Sequence, residues 1–331
     1  MEIAIFSSTP YERRYLDEAN ANGHHRLNFF EVPLTAESAG LAVGYPAVCI
    51  FVNDRADAQV LEALQQGGTR LVALRCTGFN NVDLEAAARL GMNVVRVVDY
   101  SPNSVAEHAV ALLLAINRKI HRAYNRTRDS NYSLDGLIGF DLTGKTVAVV
   151  GTGKIGRVFA KIMLGFGCEV IGYDPVPSRE FEALGTRYAA PGEIGERADV
   201  ISLHCPLTPA THHIINAETL SRAKPGALLI NTSRGALIDT KAVIEALKTG
   251  QLGGVAIDVY EQEANLFFRD LSSVVIADDL IQRLVSFPNV IVTGHQAFLT
   301  REALTTICER TLQSATAFEQ GQTLENEIKA P

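Results

Sequence analysis

The sequence predicts an α/β protein made of two doubly wound parallel-sheet domains. Three observations carry that prediction. Short apolar runs alternate with amphipathic helical patterns along most of the chain, as in repeated β-α units around parallel sheets. The unbroken run Thr146–Val150 leads into Gly151, Gly153 and Gly156, and a helical stripe of Ile155, Val158, Phe159, Ile162 and Met163 follows. A length of 331 residues gives each of two domains enough chain for its own core.

Composition narrows the class. With 47% hydrophobic and 20% charged residues the chain reads as soluble and globular, not disordered. A net charge of −7 without a lysine or arginine block argues against a nucleic-acid or anionic-membrane surface. No apolar run approaches the roughly 20 residues that span a bilayer. The chain enters its first strand with no basic leader region before it. Five cysteines (Cys49, Cys76, Cys168, Cys205 and Cys308) are odd in number and lack metal-ligand spacing. They read as reduced, buried thiols of a cytoplasmic protein, and no metal site is expected.

Taken in order, the first hundred residues carry strands at 3–6, 47–52, Leu71–Leu74 and 94–97, with helices near 11–21, 56–65 and 84–90. Gly91 is placed to close the last helix in a left-handed cap. The segment Tyr100-Ser101-Pro102 interrupts this repeat and opens a long helix. There Ser104 and Glu107 have capping-box spacing, and Val105, Ala109, Leu112, Leu113, Ile116 and Ile120 make one stripe. The first crossing between domains is placed at 100–104, and a polar, arginine-rich stretch at 125–135 follows the helix. Strands then recur at Thr146–Val150, 168–173, 199–203, 227–230, 254–259 and 290–293, with helices such as 217–224 and 241–248 between them. The last segment, Arg301–Glu319, is amphipathic through Leu304, Ile307, Cys308, Leu312, Ala315 and Phe318. The sequence leaves open which domain it packs on.

The glycine spacing has a chemical reading. The first glycine permits a tight turn, the second lets backbone approach a pyrophosphate, and the third lets the helix sit close to its strand. The helix N-terminus offers free N–H groups to phosphate oxygens. A second strand ends at Asp174, 18 residues beyond Gly156 (174 − 156), about where a ribose hydroxyl is bound. A lone G-x-G-x-x-G is weak, but between a strand and a helix it points to a dinucleotide. Glycines in an empty turn are the bland alternative.

Ligands of such sheets bind beyond the carboxyl ends of the strands. That rule selects Arg234, Asp258, Glu263, His295, His204 and Cys205. An arginine, a carboxylate and a histidine suit a 2-oxo acid. The arginine pairs with its carboxylate or carbonyl, and the histidine donates a proton as hydride arrives. A neighbouring carboxylate holds the histidine's tautomer and favours its protonated ring. Taken singly, Arg234 reads more readily as a loop salt bridge and Glu263 as a solvated loop acid. Of the eight histidines, His24 and His25 lie in a polar segment and are expected to face solvent, and His108 falls one residue off its helical stripe. Spacing leaves both His204 and His295 open as the proton donor. His295 is favoured because Gly294-His295 leads into a loop, whereas His204 leads into Cys205-Pro206, suited to lining a cofactor.

The stretches TVAVVGTGKIG, YDP, HCPLTP, NTSRGALIDT, AIDVYEQE and TGHQAFLT together resemble the D-2-hydroxyacid dehydrogenases. LRCTGFNNVDL, YSPNSVAEHA, EANLFFRD and HQAFLTREAL are similar to that family's D-lactate branch. The resemblance covers nearly the whole chain. It implies a Rossmann cofactor domain over 101–299 inserted into a flavodoxin-like substrate domain made of 1–100 and 300–331. It implies His295 as proton donor, Glu263 as its support and Arg234 as substrate anchor. NAD contacts are implied from Gly151, Gly153, Lys154, Ile155, Gly156, Asp174, Cys205, Pro206, Thr211, Thr232, Ser233, Arg234 and Asp258. The loop holding Arg75, Thr77 and Gly78 is implied to present backbone N–H groups to the substrate carboxylate. Phe51, Tyr100 and Phe298 are implied to line the space for its side chain. Thr211 stands where relatives often carry asparagine, and Asp99 stands where they carry a small residue.

The resulting expectation is an NAD-dependent, cytoplasmic, fermentative enzyme that interconverts pyruvate and D-lactate, assembled as a homodimer or homotetramer. One rival is a dehydrogenase for another acid, such as glycerate, phosphoglycerate or a bulkier one. The other is a dinucleotide-sensing corepressor scaffold, which can retain the same triad. Turnover of pyruvate with NADH discriminates between the classes.

Overall fold

Continuous burial, without the alternation of a one-sided sheet, marks most strands as central members of parallel sheets. The computed structural model describes residues 1–330. The first sheet contains β1 (Glu2–Ile5), β2 (Arg26–Phe29), β3 (Ala47–Ile50), β4 (Leu71–Leu74) and β5 (Asn93–Arg96), in the order 2-1-3-4-5. The second contains β6 (Thr146–Val150), β7 (Glu169–Tyr173), β8 (Arg187–Tyr188), β9 (Val200–Leu203), β10 (Ala227–Asn231), β11 (Leu252–Ile257) and β12 (Val290–Val292), in the order 12-11-10-9-6-7-8. Every strand pairing in both sheets is parallel.

The helices are α1 (Pro10–Ala19), α2 (Ala58–Gln66), α3 (Leu84–Arg89), α4 (Pro102–Asn117), α5 (Ile120–Arg128) and α6 (Lys154–Gly165). Then come α7 (Arg179–Glu182), α8 (Pro191–Arg197), α9 (Ala217–Ser221), α10 (Thr240–Thr249), α11 (Asp279–Val285) and α12 (Arg301–Glu319). No described helix is long and apolar enough to cross a membrane.

The chain divides into two units, Met1–Ser101 with Leu299–Pro331, and Pro102–Phe298. Pro331, the last residue of the expected C-terminal return, lies outside the described residues. The question left open for α12 is answered by its apolar face. Cys308, Leu312 and Ala315 pack with Ile3, Ile5, Leu16, Cys49 and Ala73 in the core of the first unit. In the second unit, α4 and α6 pack on one face of the sheet through Leu113, Ile116, Phe159 and Met163.

Three local expectations need correction, and one edge strand was not foreseen. Strand β2 carries Arg26 and Asn28 at the sheet edge, where only partial burial is required, so it lacked an apolar run. Ser104 does not cap α4: the helix begins at Pro102, whose fixed φ suits a first turn, and Ser104 lies buried inside it. Ile120 does not extend that stripe, because Lys119 adopts a left-handed φ of 52° and starts a separate helix, leaving Ile120 exposed. His25 is not at the surface; it is only 5% exposed, beneath the end of α12. Gly91 does take the expected left-handed conformation, and all five cysteines are free and buried.

Candidate active site

In the second sheet the strand order reverses about β6 and β9, and register brings their ends together. Val150 pairs with Tyr173 on one side and Leu203 on the other. The turn after β6 therefore lies beside the ends of β7 and β9, the place where α/β sheets take ligands. Gly151 has a φ of 96°, and a side chain there would meet the backbone of His204 and Cys205. A Cβ on Gly156 would lie 2.0 Å from the carbonyl oxygen of Gly151. Gly153, by contrast, faces open space and caps α6 without a side-chain hydrogen bond. Two glycines thus serve close packing, and the middle one leaves room in front of an uncapped helix end opened by Lys154 and Ile155. Asp174 braces this turn: its carboxylate accepts from Thr152 N at 2.9 Å and from Val176 N at 3.0 Å.

The ends of β9 and β10 bring further groups together. His204 bonds Ser202 Oγ through Nε2 at 2.9 Å and lies against Phe159. Its buried Nδ1 has no hydrogen-bond partner, and neither has the buried hydroxyl of Thr232. Burial pushes His204 down to about 3, so its ring is neutral near pH 7 and carries no proton to give. Ser233 Oγ donates to Cys205 O at 2.6 Å, tying the two strand ends together, with Pro206 exposed beyond. Arg234 follows on the same turn, half-buried, with Nη1 donating to Ser233 O at 2.7 Å. Thr211 spends its hydroxyl on its own loop, 2.7 Å from Pro206 O.

His295 and Glu263 meet directly. His295 Nδ1 lies 2.9 Å from Glu263 Oε1, while Glu263 Oε2 accepts from Tyr260 N at 2.9 Å. A carboxylate facing Nδ1 makes that nitrogen the donor and leaves Nε2 available to a reacting atom. Both side chains are partly exposed. His295 stands on a left-handed turn, φ 55°, held from below by Asp258. The backbone of Asp258 accepts from His295 N at 2.8 Å, and its carboxylate accepts from Gln296 N at 2.9 Å and Ala297 N at 2.7 Å. The same carboxylate takes Thr293 Oγ1 and stands 3.5 Å from His108 Nε2. Burial works against its charge, but these donors outweigh it and hold Asp258 below the ordinary carboxylate range. Sequence reasoning missed His108. Its one-residue offset from the helical stripe was the available signal, since that offset points it at Thr293, 3.2 Å away.

Within the first unit, Arg75 is buried directly after β4. Its N–H is already bonded to Ile50 O, and its guanidinium is 1% exposed, paired with Glu12 at 2.8 Å and with Ser7 O at 2.9 Å. The backbone N–H, Nε and Nη2 are spent within the fold, while the buried Nη1 has no hydrogen-bond partner. Phe51 is buried with Arg75 against its ring, 5.1 Å from the centroid. Thr77 donates to Val97 O, and Gly78 O accepts from Cys76 Sγ. Tyr100 is half-buried, and Phe298, in the second unit, is buried. Asp99 takes a left-handed φ of 59°, a conformation that aspartate tolerates better than most residues.

The family model for D-isomer specific 2-hydroxyacid dehydrogenase, NAD binding domain, matches residues 110–297. The chain belongs to the D-2-hydroxyacid dehydrogenase family. It is 50% identical to the D-lactate dehydrogenase of Escherichia coli (strain K12) over 328 residues, 99% of this chain and 100% of that protein. A solved structure described as the pyruvate reductase of Chlamydomonas reinhardtii superposes with a TM-score of 0.94 at 44% identity, covering 98% of both chains. The D-lactate dehydrogenase of Lactobacillus jensenii, solved with NAD+, has a TM-score of 0.84 at 29% identity and covers 100% of both.

This dehydrogenase uses NAD, and its second unit fits that cofactor. The open space at Gly153, the uncapped start of α6 and the carboxylate of Asp174 suit pyrophosphate and ribose. The unpartnered hydroxyl of Thr232 and Nδ1 of His204 lie at neighbouring strand ends of the same sheet, where a bound dinucleotide would supply polar partners.

Proposed function

We propose that this dehydrogenase reversibly reduces pyruvate to D-lactate, with His295 as the acid–base group, Glu263 as its support and Arg234 as the substrate anchor. The observation that carries this is the 2.9 Å contact between His295 Nδ1 and Glu263 beside the NAD-binding sheet. Bound NADH supplies a hydride to the substrate's carbonyl carbon. His295 Nε2 gives its proton to the carbonyl oxygen, so the C=O bond becomes a C–H and an O–H. Glu263 stabilises the imidazolium before transfer and fixes which nitrogen reacts. Arg234 neutralises the substrate carboxylate and orients the carbonyl. In the reverse direction neutral His295 takes the hydroxyl proton. The names of the relatives support pyruvate and D-lactate as the substrate pair. Cytoplasmic, fermentative operation as a homo-oligomer belongs to the same proposal.

The test is steady-state turnover of pyruvate, hydroxypyruvate, 2-oxoisocaproate and phenylpyruvate with NADH, with chiral analysis of the product. Highest kcat/KM on pyruvate, giving D-lactate, is expected. A preference for a bulkier acid moves the assignment within the family, and no turnover of any 2-oxo acid overturns it in favour of a sensing role.

A further inference from the structure

Among the described residues, two clusters of side chains have the chemistry of a cation site, and one of them is held ready for it. His24 and His25 immediately precede β2, and Glu319 is the last residue of α12. One ligand-type atom from each lies within 4.8 Å of the others. His24 Nε2 is 2.9 Å from Glu319 Oε2, and His25 Nδ1 is 3.9 Å from the same oxygen. We propose that His24, His25 and Glu319 form a binding site for a divalent transition-metal ion of the zinc class, pinning the end of α12 to the edge of the first sheet.

The orientation of His25 is the deciding feature. Thr316 donates its hydroxyl hydrogen to Leu312 O at 3.0 Å, so its oxygen is left to accept from His25 Nε2 at 2.9 Å. Nε2 therefore carries the ring proton, and Nδ1 presents a lone pair. That lone pair faces a carboxylate oxygen, also an acceptor, across 3.9 Å. Two acceptors turned towards each other need a positive group between them. The Met1 ammonium is drawn to the same place, 2.6 Å from Glu319 Oε1 and 3.4 Å from His25 Nδ1. A metal ion entering the site displaces it.

The supporting contacts match those of a metal-bound histidine, whose second nitrogen is held by a hydrogen bond. His25 is also fixed through its backbone. Asn20, just past α1, accepts from His25 N at 3.1 Å and donates to His25 O at 2.7 Å. The His24 ring meets the His25 ring edge-on, 83° apart, which leaves their nitrogens free to converge. Tetrahedral zinc with bonds near 2.1 Å wants its ligands about 3.4 Å apart, so shifts of at most about 1.4 Å bring the three into place, with water as the fourth ligand. His24 is largely exposed and free to make it. Two imidazoles and one carboxylate select zinc, nickel or copper over magnesium or calcium, which prefer oxygen donors. The sequence showed no metal spacing because Glu319 lies 295 residues from His24.

A second group, His212, His213 and Glu261, supplies the control. Its two rings stack at 28°, 3.9 Å apart, and His213 Nε2 lies 2.8 Å from Glu261, much as His24 Nε2 lies from Glu319. What it lacks is a hydrogen bond that holds the second nitrogen of either ring, as Thr316 holds His25 Nε2.

The experiment titrates untagged, chelator-treated full-length protein with ZnCl2 by calorimetry, and with CoCl2 for the visible absorption of a tetrahedral site. One ion per chain is expected, with affinity at least tenfold weaker in His24→Ala and in Glu319→Gln. Both substitutions lie at exposed or half-exposed positions, so folding is retained, and pyruvate reduction should be unchanged. His212→Ala should bind as the wild type does. MgCl2 should give no heat. A melting temperature raised by about 5 °C at hundredfold excess over Kd should accompany binding in the wild type and be lost in His24→Ala. Absence of zinc binding at 100-fold molar excess overturns the proposal. So does binding that survives in His24→Ala and Glu319→Gln, or that disappears in His212→Ala.

Discussion

Glu263 holds His295 Nδ1 with one carboxylate oxygen and the Tyr260 N–H with the other, both at 2.9 Å. The pair is therefore rigid on the carboxylate side. Its charge is available to stabilise the imidazolium that pyruvate reduction needs. Glu263→Gln keeps the size and an accepting oxygen but removes the charge. We expect kcat/KM for reduction near pH 7 to fall at least tenfold, and His295→Gln to lose about 10²–10⁴-fold. NADH affinity, measured by fluorescence titration, should stay within a factor of about three in both. His204→Gln should retain most of the rate, because the His204 ring is neutral in the folded protein. Loss of activity in His204→Gln with activity kept in His295→Gln would reverse the assignment.

We expect cofactor choice to depend on Asp174, which braces the glycine turn through Thr152 N. A carboxylate at a ribose edge accepts hydroxyl hydrogens and repels a phosphate. Asp174→Ala should lower kcat/KM with NADH by about tenfold or more, the worth of one charge-assisted hydrogen bond. The NADH-to-NADPH ratio should fall with it. An unchanged ratio counts against this role.

His204 makes stability depend on pH. Unfolded, its ring takes a proton near 6.5; folded, burial holds it at about 3. Its folded value is depressed, so below pH 6.5 the unfolded chain binds a proton that the native chain refuses. Stability is unaffected by this group above about pH 7.5 and falls as pH drops from 6.5 towards 3. Urea midpoints measured between pH 7.5 and 4.5 should fall more steeply in the wild type than in His204→Gln. Parallel slopes would show that His204 titrates alike in both states.

The buried pair Arg75–Glu12 should be costly to break from one side. Glu12→Ala leaves an uncompensated guanidinium at a 1% exposed position, a loss of about 3–5 kcal/mol. Denaturant unfolding of the first unit reads this directly. A loss below 1 kcal/mol would mean that water reaches Arg75 once Glu12 is gone.

Much of the second unit was legible because its chemistry lies where the chain must be regular. The apolar run before Gly151, the glycine spacing and the acid at Asp174 are local patterns, and each folds as its spacing implies. Arg234, Glu263 and His295 were singled out by their places after strands, and Glu263 does meet His295. Contacts made across long separations in sequence were not legible. Arg75 lies in a polar-looking loop motif, and only its partner Glu12, 63 residues away, makes burial tolerable. His108 stood one residue off its helical stripe, and its contact with Thr293, 185 residues away, was not legible. His25 sat among polar neighbours, and its burial depends on α12, which the sequence could not place.

The route of the chain through its two units also orders their assembly. The unit Pro102–Phe298 is one continuous segment and can complete its core as soon as it leaves the ribosome. The first sheet is synthesised earlier but stays unfinished, because Cys308, Leu312 and Ala315 of α12 fill its interior. Its strands must wait, exposed, while the inserted unit is made. The early-born half of this protein is the late one to mature, and chaperones would meet it first.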